Sequence, residues 1–162
     1  MFFQVFFLSR FSWLFALIII FLFLSSCLSS STLTNKNRQL QFEQPLLLNN
    51  IPLQAVIFQT KKERKMGLMQ IAKMPNGKAA LFIYPRPSSV NFWMKNTLIS
   101  LDILYFDKDK KLIGIIKKAA PCTISPCLVY PANNIQYVIE LNAGFVDQYQ
   151  IQLGAIFTLN ME

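Results

Sequence analysis

The stretch from Phe92 to Asp107 constrains this chain most. Two apolar blocks of strand length, Val90 to Met94 and Leu101 to Phe106, enclose the polar cluster Lys95, Asn96 and Thr97, and Asp102 falls inside the second block. Blocks this short are too brief for packed helices and predict strands. Polar groups set among them must find partners or a ligand, because an unpaired buried amide costs about 1–3 kcal/mol and a lone buried charge more. A candidate site is therefore expected here.

The chain begins with an apolar run, Phe11 to Leu24, broken only by Ser12. Its 14 residues fall within the roughly 7–15 of a signal-peptide core and short of the roughly 20 that a spanning helix needs. Leu24-Ser25-Ser26-Cys27 follows and resembles the lipobox of bacterial lipoproteins, in which the cysteine thiol is acylated. Residues 1–26 then read as a lipoprotein signal, with lipidation at Cys27 and membrane attachment through that lipid. The alternative is an uncleaved anchor, and both place the rest of the chain outside the cytoplasm. Leu28 stands where an aspartate retains many lipoproteins on the inner membrane, which implies an outer-membrane address in a Gram-negative host.

From Leu28 to Gln44 the composition turns to Ser, Thr, Asn and Gln, so residues 27–44 read as a lipidated N-terminus and tether. Residues 45–162 are enough for one modest core. Removal of the signal takes away Arg10 alone among charged residues, leaving 15 basic against 8 acidic, a balance of +7. That excess suits anionic headgroups or polymers, or serves as a solvated basic face.

Within the domain, Ile51 to Phe58 alternates as a strand. Thr60-Lys61-Lys62-Glu63 fits a capping box and opens a short helix over about Lys61 to Gln70, with its bases expected in solvent. Further strands are expected at Ala79 to Tyr84, Lys111 to Lys117, Tyr137 to Leu141 and Gly154 to Leu159. Asp107 to Lys110 forms a turn and Phe145 to Gln150 a second short helix. The expected fold is mostly β, a single compact antiparallel sandwich or barrel with one or two short helices.

Cys122 and Cys127 remain once Cys27 carries lipid, and four intervening residues permit a disulfide in an exported protein. A redox pair usually has two residues between its cysteines, and a metal site needs more ligands than two thiols. The chain has no histidine, which excludes Ser-His and Cys-His nucleophile pairs and histidine-bound zinc. It also has no phosphate-cradling glycine loop. No cofactor, metal or nucleic-acid partner is expected.

The ordered blocks Thr60-x-x-Glu63-Arg64-x-x-Gly67-Leu68-Met69, Phe92 to Thr97 with Leu101-Asp102, Pro121-Cys122 with Cys127 and Tyr130, and Tyr137 to Gly144 resemble Domain of Unknown Function 192. The resemblance implies a compact, jelly-roll-type β fold, often behind a signal peptide or anchor, and brings no established activity. The chain departs from the family pattern at Ile71, where an arginine is common, at Ala79 or Ala80 for a glycine, and at Ala155 for an aspartate.

Glu63, Arg64, Trp93, Lys95, Asn96, Asp102, Glu140 and Asn142 are the candidate ligand-binding residues, expected to converge from strand and helix ends. Two readings follow. One is a non-enzymatic, membrane-tethered module for a small molecule, a glycan or an envelope component. The other is a periplasmic hydrolase or isomerase working through carboxylates and a lysine. The Asp102-to-Glu140 pair separates the two: a raised pKa there in an open cleft favours the enzyme, and a closed ion pair with Lys95 or Arg64 favours a scaffold.

Overall fold

The computed structural model describes residues 38–159, so the signal, Cys27 and most of the tether lie outside the described residues. Seven strands and two short helices follow in the order β1 (Gln44–Leu48), β2 (Ile51–Phe58), α1 (Lys61–Met66), β3 (Lys78–Trp93), β4 (Leu101–Phe106), β5 (Leu112–Ala119), β6 (Val129–Asn142), α2 (Phe145–Gln148) and β7 (Phe157–Leu159). The fold is mostly β, as expected. The strands form one sheet in the order β5-β4-β6-β3-β2-β1-β7, curled into a half-barrel.

The sheet departs from the antiparallel expectation at one pair. β2 and β3 pair in parallel, because α1 and the loop after it carry the chain across before β3 begins, whereas the other strand pairs are antiparallel. The two blocks of the central stretch are not neighbours: β6 lies between β3 and β4 and pairs with both. β3 is also a single long strand through Pro85 and Pro87. The missing N–H groups there coincide with register shifts between Ile83 and Val90 rather than with a strand end.

β1 arises from Leu46-Leu47-Leu48 and turns back through Asn49 and Asn50, both with positive φ. Asparagine tolerates that conformation and suits a two-residue hairpin turn. Leu46 and Leu48 are buried. Residues 38–43, within the stretch read as tether, lie along the domain: Leu40 and Phe42 pack on its core and Arg38 Nη1 donates to the Gly67 carbonyl.

Strand alternation divides the apolar residues between the two faces of the sheet. Inside the curl, one cluster draws on all seven strands, including Leu48, Leu53, Leu81, Leu104, Leu112, Ile139 and Phe157. The sheet edges approach where Lys111 bridges Ile156 and Leu112 N donates to the Ala155 carbonyl at 2.8 Å. On the other face, Phe58, Phe82, Val90, Phe92, Ile103, Tyr105 and Val138 form a second cluster, roofed by Leu68, Ile71 and Met74 from the loop after α1. An aromatic row, Phe58–Phe82–Phe92–Tyr105, crosses this face at centroid spacings of 5.0, 5.2 and 5.8 Å.

Candidate functional site

α1 is built as its capping box predicts. Thr60 Oγ1 accepts from Glu63 N at 3.2 Å, and Glu63 Oε2 accepts from Thr60 N at 2.9 Å and Gln59 N at 3.0 Å. These backbone donors hold the exposed Glu63 carboxyl below its ordinary pKa. The helix stops after Met66 because Gly67 takes φ +42°, and a Cβ at Gly67 would come within 3.1 Å of Phe82 Cζ. Gly67 therefore lets the chain pass close over the aromatic row. The loop is fixed again by a bridge from Met69 to Thr97 and by Gln70 N donating to the Asn96 carbonyl at 2.8 Å.

Between α1 and the roofed face of the sheet lies a cavity of about 390 Å³. Phe82, Phe92 and Tyr84 wall it, and Lys61, Arg64, Lys65 and Lys95 line it together with Trp93, Thr97 and Glu140. Glu140 is only 4% exposed, and no hydrogen bond or ion pair reaches its carboxyl from the described residues. Burial alone pushes its pKa up to about 8, so at neutral pH it is mostly a neutral O–H donor. Burial likewise raises the Tyr84 phenol, against the opposing charge of Arg64.

The four cations stand ready for an anion. None forms an ion pair among the described residues. Arg64 is held in place: its Nη1 donates to the Ile83 carbonyl at 2.9 Å and to the Gln59 carbonyl, and its guanidinium sits 4.6 Å from the Tyr84 ring centroid. Lys95 Nζ lies 5.4 Å from the Trp93 ring centroid.

Of the residues named from sequence, Arg64, Trp93, Lys95 and Glu140 meet at this cavity. The other four do not. Glu63 caps α1. Asn96, at φ +56°, ties the turn after β3 through its backbone, donating to the Cys122 carbonyl at 2.7 Å. Asn142 Nδ2 donates to the Met74 carbonyl at 2.9 Å and pins the roof loop. Asp102 is buried on the opposite face, its oxygens accepting from Lys118 N at 2.8 Å and Val146 N at 2.9 Å. Cys122 and Cys127 are disulfide-bonded.

Lys61 and Lys65 are exposed, as the sequence reading has them, and they line the cavity as well, which that reading did not show. Arg64 and Lys65 follow Lys61 by three and four residues, which puts both beside Lys61 on the helix surface. Among the described residues no three His, Cys, Asp or Glu side chains gather to hold a metal.

The sequence profile of Domain of Unknown Function 192, described as an uncharacterized ACR, matches residues 48–159, well over half of the chain. The chain belongs to that family. Solved structures agree on the fold. A Sinorhizobium meliloti 1021 protein described as a candidate transcription regulator superposes with a TM-score of 0.66 at 26% identity, over 72% of this chain and 92% of that one. A Novosphingobium aromaticivorans DSM 12444 protein of unknown function gives 0.65 at 24% identity, over 70% and 83%. No curated protein sequence matches significantly. Domain of Unknown Function 192 has no assigned activity, so any functional reading starts from the cavity itself.

Proposed function

We propose that this domain is a ligand-binding module held at the cell envelope by a lipid on Cys27, with an outer-membrane address if the host is Gram-negative. Its ligand is a small molecule that carries an anionic group and a hydrogen-bond acceptor. The observation that carries the reading is Glu140, a carboxyl on the cavity wall that no hydrogen bond or ion pair reaches from the described residues, beside four cations that form no ion pair among them. Among the described residues no buried side-chain oxygen is left unsatisfied, so the Glu140 carboxyl oxygens open onto the cavity rather than into the packed core. The carboxyl is explained if it donates to a ligand whose anionic end is met by Arg64, Lys61, Lys65 and Lys95. The aromatic walls supply the apolar contact. The Cys122–Cys127 bond suits an oxidising compartment, and the apolar run before Cys27 suits export.

A second reading rests on a different observation. A carboxyl that titrates near 8 in an open cavity is suited to general acid or base work. Paired-carboxylate chemistry gains no support, since Asp102 lies on the other face with both oxygens engaged. A single carboxyl with an arginine or lysine beside it leaves proton transfer as the enzymatic alternative.

The test is native mass spectrometry of the protein extracted from its own membranes, followed by thermal-shift titration with inorganic phosphate, citrate and galacturonate. The expected result is a retained anionic adduct or a rise in Tm, weakened about tenfold by Arg64→Ala through loss of a charge-assisted bond and abolished by Glu140→Leu. Absence of any adduct and of any response to the acidic probes overturns the proposal. Conversion of a bound probe, blocked by Glu140→Gln, selects the enzymatic reading instead.

A further inference from the structure

One end of the domain carries a second exposed feature, which shares Trp93 and Lys95 with the cavity rim and adds residues the cavity reading does not use. The disulfide-tied loop between β5 and β6 presents Ile124 at 83% and Leu128 at 69% exposure, and Val129 stands directly across from Trp93 in the β3–β6 register, both about half exposed. Lys95 lies against Trp93 and bridges Cys122, so a cation is built into the same patch. Isolated exposed apolar residues are ordinary, but four adjoining ones beside a lysine form an amphipathic surface.

Along the sequence, the segments that contribute to this patch are one-sided in charge. From Arg64 to Leu101 the chain has six cations and no acidic residue, and from Lys110 to Ile139 it has four more and again none. Lys117 and Lys118 are neutralised in part by Asp147, while Lys95, Lys61 and Lys65 are in no ion pair among the described residues. A second copy docking here would set cation against cation. An anionic bilayer would meet every element of the patch: aliphatic side chains for the acyl boundary, tryptophan for the headgroup level and lysines for the phosphates.

The described chain begins at the cavity that Trp93 and Lys95 also line. Arg38 joins the domain at the Gly67 carbonyl, and Gly67 leads through Met69 and Thr97 to Asn96, which is bonded to Cys122. Ten residues lie between Cys27 and Arg38, which makes eleven residue steps. Even fully extended they reach about 38 Å, close to the diameter of about 35 Å for a domain of this size. A lipid on Cys27 thus holds this end within reach of the bilayer.

We propose that Ile124, Leu128, Val129 and Trp93, with Lys95, form a docking surface that seats the domain on an anionic phospholipid bilayer, with the cavity mouth beside the membrane. This rests on the lipid-anchored reading and not on the identity of the cavity's ligand.

The test uses the lipidated protein purified from membranes, in which removal of residues 1–26 takes Trp13 away and leaves Trp93 as the sole tryptophan. It is reconstituted into vesicles of phosphatidylethanolamine and phosphatidylglycerol, or of phosphatidylcholine alone, each doped with brominated lipid. Quenching of Trp93 is expected to be roughly two-fold stronger in the phosphatidylglycerol vesicles and to weaken at high salt. Ile124→Asp with Leu128→Asp is expected to abolish the difference while the Cys122–Cys127 bond and the Tm are retained. Equal quenching in both vesicle types, or quenching unchanged by the double variant, overturns the docking surface. Failure of the purified protein to partition with vesicles overturns the anchored reading and the docking surface with it, and leaves the cavity's ligand to be judged on detergent-solubilised protein.

Discussion

Asp102 and Glu140 sit on adjacent strands one register step apart and face opposite sides of the sheet. In the β4–β6 ladder Ile103 lies opposite Glu140 and Asp102 opposite Leu141, so Glu140 joins the cavity face and Asp102 the inside of the curl. The two acids have opposite circumstances. Glu140 lacks a partner, whereas Asp102 accepts from Lys118 N and from Val146 N, the second residue of α2. The N-cap of α2 is Gly144, which has no side chain to offer, so Asp102 caps that helix from β4.

Asp102→Ala is therefore expected to destabilise the fold strongly, by about 3 kcal/mol or more, since two buried N–H groups lose their acceptor. Asp102→Asn keeps one acceptor oxygen and is expected to cost less. Urea unfolding checks both, and ligand affinity measured on the folded fraction is expected to be unchanged because Asp102 does not line the cavity.

Glu140 gives the stability a pH dependence of defined sign. Its folded pKa of about 8 lies above its ordinary 4.5, so between those values the folded state binds a proton that the unfolded chain has released. That stability is fully present below about 4.5 and is lost as pH rises through 8. Glu63 and Asp147, both held low, act with the opposite sign and only below their ordinary values. The free energy of unfolding is therefore expected to fall between pH 5 and 8.5 by an amount on the order of a few kcal/mol, and the Tm to fall with it. Glu140→Gln is expected to flatten that fall, and a slope unchanged in the variant would assign the titration elsewhere.

The strands were legible wherever period-two alternation or an apolar block stood alone, as at Ile51 to Phe58 and Leu101 to Phe106. Thr60 and Glu63 announced α1 by spacing alone. β1 went unread although Asn49-Asn50 marks a hairpin turn, because Leu46 to Leu48 follows a polar stretch that resembles tether. Half of the polar candidates met at the cavity and half did not. Sequence shows that a polar residue lies among apolar ones but not which face it takes once strands from distant positions pair. Asp102 shows why: its partners come from Lys118 and Val146, 16 and 44 residues away.

The capping box couples helix stability to the site. Thr60→Ala removes the acceptor for Glu63 N, and loss of such a cap typically costs about 1 kcal/mol. α1 has only six residues and supplies Lys61, Arg64 and Lys65 to the cavity, so its fraying disorders three of the four cations. The expected outcome is a small drop in Tm with a larger loss of anion affinity. Thr60→Ser, which restores the hydroxyl, is expected to recover both in the same titration.

Reducing the Cys122–Cys127 bond separates the two proposed surfaces. The closed loop is short, so the chain-entropy contribution is modest, about 2 kcal/mol. Backbone contacts that position Lys95 survive reduction, since Asn96 N donates to the Cys122 carbonyl and Cys122 N to the Met94 carbonyl. The bond's distinct contribution is to hold Ile124 and Leu128 together at the loop tip. A double Cys122→Ser, Cys127→Ser variant is thus expected to lose a few degrees in Tm. It is also expected to keep its anion affinity by thermal shift and to lose most of the lipid-dependent quenching of Trp93. Equal losses in anion affinity and quenching would mean that the loop and the cavity are one cooperative unit, and the docking surface would then have no separate existence.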